Sequence, residues 1–177
     1  RRVRLADLDG TGTADLLYFD GDGIRIYWNQ AGNRFSQEPT RVRSFPTEEG
    51  LRTLALIDAF GRGTSQIVYA PANTRGPGPA LKVIDVVGKE KPYLLTSVDN
   101  HLGLETKVQY APSPKFYLAD RAAGKPWATK LPFPVQVVEK VEVYDAIRRH
   151  RFTQETTYHN GAYDPDEREF RGFGRVE

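Results

Sequence analysis

The sequence predicts an all-β fold built from two successive β-regions. Three observations predict it. Short apolar runs near the start are separated by Asp/Gly turns, a worn copy of that unit follows about fifty residues later, and two long alternating runs begin after residue 134. Helical periodicity is nearly absent. Only "FYLADRAAG" (116–124) reads as a helical turn, and the rest of 111–134, rich in proline and aromatics, reads as irregular.

The elements follow in order. "ADLLYF" (14–19) is an apolar run, "DGDG" (20–23) a turn, and "IRIYWN" (24–29) alternates apolar and polar side chains. Four Asp/Gly residues between two such runs predict a hairpin, because glycine accepts the positive φ that tight turns demand. A second unit, "LALIDAFGRGTSQIVYAP", begins at Leu54. Asp58 stands where Asp7 stood, Gly61 and Gly63 where Gly10 and Gly12 stood, and "QIVYA" where "DLLYF" stood. Repeats of roughly 40–50 residues carrying a few short strands each are the signature of propeller blades. "PANTRGPGPALKVID" then supplies a Pro/Gly-rich turn and a strand from Leu81 to Val87.

The character changes near residues 88–92, which divides the chain into regions 1–87 and 92–177. "YLLTSVDNHLGLETKVQYAPS" reads as strand, polar turn and strand, with Thr106, Val108 and Tyr110 on one face. "VQVVEKVEVYDAI" (135–147) and "RFTQETTYHNGAY" (151–163), joined by "RRH", predict a long antiparallel hairpin, and "EREFRGFGRVE" one more strand.

Composition narrows the functional classes. The 177 residues carry 25 basic and 23 acidic side chains, which gives no electrostatic case for nucleic acid or an anionic membrane. The absence of cysteine excludes a disulfide framework, a thiol nucleophile and a cysteine-based zinc site. No apolar run approaches the roughly 18 residues needed to cross a bilayer. The chain opens on "RRVRLADLDG", which reads as the inside of a strand-and-loop unit, and contains no methionine. It reads as a piece of a longer protein, so a missing signal peptide says nothing about secretion. Open sheet edges on such a piece predict a chain that aggregates or packs loosely when expressed alone.

The loop "DLDGTGTAD" is the one candidate metal site. Counted from Asp7 it offers Asp7, Asp9, the Thr11 hydroxyl, the Thr13 carbonyl and Asp15 at the alternating positions of a calcium loop, with Gly12 at the bend. Threonine replaces the usual acid or amide at the fifth position, and Tyr18 stands where an EF-hand has its glutamate. The competing reading is a plain turn whose aspartates accept hydrogen bonds from backbone N–H groups. The second copy, with Phe60 and Gln66 in place of two aspartates, keeps the loop pattern without the carboxylates.

Other chemistry is thin. His101, His150 and His159 read as surface histidines, with neither HExxH spacing nor a serine partner. Asp164, Asp166, Glu167 and Glu169 crowd a proline turn and alternate with basic residues, which fits a solvated turn better than a glycosidase pair. "GFG" precedes a strand, so no phosphate cradle follows from it. Tyr110, Phe116, Tyr117, Trp127, Phe133, Phe170 and Phe173 read as packing for a thin β-structure, with a Trp127 carbohydrate platform as the lesser alternative. No catalytic set emerges, and the chain reads as non-enzymatic.

Two sets of residues match known families. "LADLDGTGTADLLYF" with "GIRIYWNQAGNRFS" resembles the FG-GAP/VCBS-type blade motif. "YLLTSVDNHLGLETKVQYAPS", "KPWATKLPFPV" and "EREFRGFGRVE" together resemble the middle/N-terminal region of insecticidal Tc-toxin B components and SpvB-like virulence proteins. The resemblance implies a propeller end over 1–87 and the entry into an RHS-type shell over 92–177. That shell, completed by the toxin C component, encloses a cytotoxic segment. The propeller docks on the channel-forming A component and gates release. A secreted complex is implied, in which this stretch neither inserts into a membrane nor carries a catalytic segment. An adhesion module, with calcium stiffening propeller loops that bind a host protein or glycan, is the alternative reading.

Overall fold

The computed structural model describes residues 2–43, 45–46, 51–72 and 81–177, with Arg52 described by its backbone alone. The described residues form strands throughout, with one helix. Two compact units emerge: residues 1–60 with 64–92, and residues 61–63 with 93–177. The proline/glycine turn expected after Pro71 falls largely outside the described residues.

The first unit contains a four-stranded antiparallel sheet in the order β1-β2-β3-β6, formed by Val3–Ala6, Asp15–Asp20, Gly23–Tyr27 and Thr40–Arg43. A small hairpin, β4 (Asn29–Gln30) and β5 (Arg34–Phe35), lies between β3 and β6 in sequence. Alternation sets the faces. Leu17, Ile24 and Ile26 turn inward at no more than 1% exposure, while Arg25 and Arg41 lie directly opposite one another on the other face. A three-stranded sheet follows in the order β7-β8-β9, from Leu51–Ile57, Gln66–Pro71 and Lys82–Ile84. The last strand is shorter than the expected Leu81–Val87. The core joins side chains of both sheets: Leu8, Leu17, Ile24, Ile26 and Phe45 with Ile67 and Tyr69.

The internal repeat is structural. Asp15–Asp20 and Gln66–Pro71 are the same strand in two copies. The loops before them bend at the same glycines, with φ of 75° and 86° at Gly10 and Gly12 and of 65° and 75° at Gly61 and Gly63. These are left-handed conformations that a Cβ disfavours, which is why the glycines persist where the aspartates do not.

In the second unit, β10 (Ser97–Asp99), β11 (Leu104–Pro112), β12 (Gln136–Asp145) and β13 (His150–Glu155) form a four-stranded antiparallel meander. Its two faces differ. Val98, Thr106, Val143 and Phe152 form one cross-strand row, while Lys107 faces Glu142 and Lys140 lies 3.5 Å from Glu142 and 3.8 Å from Glu155 on the other side. Strands β14 (Tyr158–Asp164) and β15 (Glu169–Val176) pair in a separate two-stranded sheet.

Two expectations are corrected. The run 151–163 is two strands in different sheets, because the chain changes partner at its middle: the Thr156 N–H donates to the Glu139 carbonyl, whereas the Thr157 N–H donates to the Glu177 carbonyl. The stretch read as irregular with one helical turn holds a full helix, α1, over Ser113–Ala122. Its prolines mislead, since Pro112 precedes the helix and Pro114 lies in the first turn, where a missing N–H costs nothing. Gly124, at φ 75°, follows its C-terminus, and its N–H donates to the Arg121 carbonyl. No helix among the described residues is long and apolar enough to cross a membrane.

Candidate metal centre

The loop between β1 and β2 draws the three aspartates together. Asp7, Asp9 and Asp15 each present a carboxylate oxygen, all within 4.8 Å of one another. Asp9 and Asp15 are buried, at 2% and 0% exposure. Each is held by backbone donors. Asp7 Oδ1 accepts from the N–H groups of Gly10 (2.7 Å) and Thr11 (3.1 Å), and its Oδ2 from that of Gly12 (2.8 Å). Asp15 receives the Leu8 N–H at 2.9 Å and the Asn29 N–H at 2.8 Å, one on each oxygen. Burial pushes the Asp15 carboxyl above its usual range against the pull of those two bonds, and the charges of Asp9 and Asp7 add to the rise.

A carboxylate oxygen carries two lone pairs, so an oxygen with a single backbone bond, as Asp7 Oδ2 and both oxygens of Asp15 are, leaves room for a cation, whereas Asp7 Oδ1 is filled by two. The spacing of the three oxygens suits a hard ion with oxygen ligands at roughly 2.3–2.6 Å, and the donor set therefore fits calcium through Asp7, Asp9 and Asp15. The Thr11 hydroxyl is engaged with the Thr13 hydroxyl at 3.0 Å. The second copy explains what the loop needs without a metal. Gln66, fully buried, accepts the Ala59 N–H at 2.8 Å on Oε1, the same bond that Asp15 makes to Leu8, while its Nε2 donates to the Thr64 carbonyl at 2.9 Å. A neutral amide thus closes the bracket that a carboxylate closes in the first copy.

His159 departs from its sequence reading. It is not on the surface: its side chain is 12% exposed and its Nδ1 lies 2.6 Å from Asp120 Oδ2. The Trp127 indole N–H donates to that same oxygen at 2.7 Å, and Thr157 Oγ1 sits 3.3 Å from His159 Nε2. Asp120 is not a candidate from sequence, since it stands 39 positions from its histidine and nothing local joins the helix it lies on to β14. The constellation has the outline of a hydroxyl–imidazole–carboxylate triad. However, Glu177 lies 3.6 Å from the same Nε2, and the Thr157 N–H is consumed by the Glu177 carbonyl, so the hydroxyl's own amide is no oxyanion donor. What the contacts do is fasten α1 to β14.

The hydrogen bond from His159 is the main cause holding the Asp120 carboxyl below its usual range. A depressed carboxyl contributes stability above its unfolded value, near 3.9, that is lost as the pH falls through the folded value. Asp120→Asn is therefore expected to flatten the acid limb of the stability curve while its upper part keeps its shape, as read by urea denaturation across pH 2–6. An unchanged acid limb would remove Asp120 from that role.

The remaining candidates resolve as packing or turn chemistry. Asp164 Oδ1 accepts from the Asp166 and Glu167 N–H groups at 3.0 and 3.2 Å, and Arg171 pairs with Glu167 and Glu169, each at 2.8 Å. Those carboxylates are tied to an arginine rather than facing a shared substrate position. His101 is 89% exposed at its side chain, and the His150 ring packs edge-on against Phe152. Trp127 packs edge-on against Tyr117 and Phe173 at 5.5 and 6.1 Å.

A family model described as the insecticide toxin TcdB middle/N-terminal region matches residues 28–177. The chain belongs to this TcdB family. Its aspartate loop precedes the matched residues, but solved structures extend the likeness over it. The crystal structure of TcdB2-TccC3 is 34% identical, with a TM-score of 0.82, over 99% of this chain. A second crystal structure, of TcdB2-TccC3 without its hypervariable C-terminal region, is 32% identical with a TM-score of 0.83. The Photorhabdus luminescens Tc holotoxin pore, in a form carrying a TccC3 mutation, is 34% identical with a TM-score of 0.80. In each comparison this TcdB-family chain spans 8% of the matched chain. No curated protein matches it.

Proposed function

We propose that this chain is a non-enzymatic structural segment of a secreted, Tc-type insecticidal toxin complex. One observation carries the reading: the near-complete alignment with TcdB2-TccC3 at 34% identity and a TM-score of 0.82. In this reading residues 1–87 are blades at the end of a β-propeller that docks on the channel-forming A component. Residues 92–177 begin the wall of a shell, completed by the C component, around a cytotoxic cargo. The four-stranded meander β1-β2-β3-β6 and its worn copy β7-β8-β9 support the blade assignment. The long pairing of β11 with β12 and β13 supports the wall. The likeness to a chain of a holotoxin pore supports the assembly with a channel.

The test uses the full-length parent protein assembled with its C-type partner. Val141→Asp, in the middle of β12, is expected to open the enclosed cargo to added protease while Phe152→Ser, on the exposed edge strand, leaves it protected. Equal protection of cargo in the parent and in Val141→Asp would dismiss the wall assignment.

For the loop, we propose that Asp7, Asp9 and Asp15 hold calcium as a stiffener without chemistry. Binding to the folded state alone adds stability as RT ln(1 + [L]/Kd), about 2.7 kcal/mol at a hundredfold excess over Kd. Melting in millimolar calcium is expected to exceed melting in chelator by several degrees, and Asp9→Ala to erase the difference. A melting temperature indifferent to both treatments would leave the aspartates as turn formers.

A further inference from the structure

The outer face of the β3–β6 pair carries three guanidinium groups. Arg25 stands directly opposite Arg41, and Arg43 stands opposite Gly23. Like charges placed face to face on neighbouring strands oppose pairing, so their placement calls for compensation. Asp20 compensates Arg25, at 2.7 Å. Arg41 and Arg43 are exposed and have no carboxylate within 4.0 Å among the described residues.

The surface there is hollow. Gly23 cannot take a side chain, because a Cβ would meet the Val42 carbonyl oxygen at 2.1 Å and its φ is 143°. Beside this close backbone approach lies a concavity of about 420 Å³ whose lining includes Asp20, Asp22, Gly23, Arg25, Arg41 and Arg43. β6 is also the last strand of its sheet among the described residues, where one row of its backbone groups has no strand partner. Two needs coincide on one strand: among the described residues its edge has no strand partner, and its two cations at alternate positions have no carboxylate partner.

We propose that β6 docks an extended acidic segment of a protein partner, which adds to the sheet as a fifth strand and sets carboxylates against Arg41 and Arg43. A strand presents every second side chain to one face, so the fitting segment has acidic residues two apart. Arginine suits this task better than lysine, since its planar fork binds carboxylate through two parallel hydrogen bonds. Asp22, at the turn beyond Arg43, repels a third carboxylate and so fixes where the acidic pattern stops.

The probe is a fluorescein-labelled peptide of alternating threonine and glutamate, titrated into the full-length parent protein and read by anisotropy. Its threonine–glutamine counterpart is expected to bind about tenfold more weakly, a difference of one decade in Kd. Arg41→Gln with Arg43→Gln is expected to remove the same decade, with Arg34→Gln on β5 as the silent control. A peptide N-methylated at every second residue is expected to lose binding, because strand addition needs its backbone. Equal binding of the two peptides, of the N-methylated peptide, or of a single-stranded oligonucleotide of matched charge would overturn the proposal. So would displacement by inorganic phosphate at the peptide's own concentration.

Discussion

Asp15→Ala is expected to destabilise the first unit by about 3 kcal/mol, since it strands two backbone donors at a cost of roughly 1–3 kcal/mol each. The donors are the N–H groups of Leu8 and Asn29, at 2.9 and 2.8 Å. Part of the loss is offset, because the carboxylate removed is itself buried and repelled by Asp7 and Asp9. Asp15→Asn is expected to fall between, as one amide oxygen serves one donor while the amide nitrogen opposes the other. Gln66→Ala strands only the Ala59 N–H and is expected to cost about half as much as Asp15→Ala. Denaturant titrations of the three variants test the order. A melt of Asp15→Ala within two degrees of the parent would mean that the bracket contributes nothing.

Phe116→Ala is expected to be the most damaging single change in the second unit, at about 3–5 kcal/mol. The buried cluster there is small, with Phe116, Ala111 and Val137 at its centre and Trp127, Val135, Tyr158 and Phe173 packed on it. Phe116 meets Tyr158 edge-on at 5.6 Å, and Tyr158 meets Phe173 at 5.0 Å, so a cavity at 116 loosens a chain of rings. A loss of this size is a large fraction of the roughly 5–15 kcal/mol that holds a whole domain folded. Phe116→Leu is expected to recover most of it, and Phe152→Ala, at a residue 64% exposed, to stay within about 0.5 kcal/mol. Near-ultraviolet circular dichroism and urea melts separate these outcomes. Comparable losses at 116 and 152 would show that the cluster does not govern the unit.

The strands were legible because their signals are local. Alternation and Asp/Gly turns gave β2, β3, β11 and β12, and the spacing of Gly10, Gly12, Gly61 and Gly63 gave the repeat. The aspartate loop was legible for the same reason, since three carboxylates close in sequence were bound to lie close in space. The misses were of another kind. Nothing in 151–163 marks the point where the chain leaves one sheet for another, because that depends on where Glu139 and Glu177 arrive from elsewhere. Asp120 and His159 meet only because α1 forms, and α1 is weakly amphipathic with a proline in its first turn. Gln66 was read as a lost ligand, whereas its amide keeps the one bond on which the loop depends.

That substitution has a practical consequence. The two loops are the same bracket in a charged and an uncharged edition, closed on the Leu8 and Ala59 amides. A change of protonation at the closing side chain reaches the first bracket, at Asp15, and has nothing to act on at the Gln66 amide of the second. Amide exchange at Leu8 therefore serves as the gauge and exchange at Ala59 as its reference, both read from one sample. The duplicated unit carries its own blank.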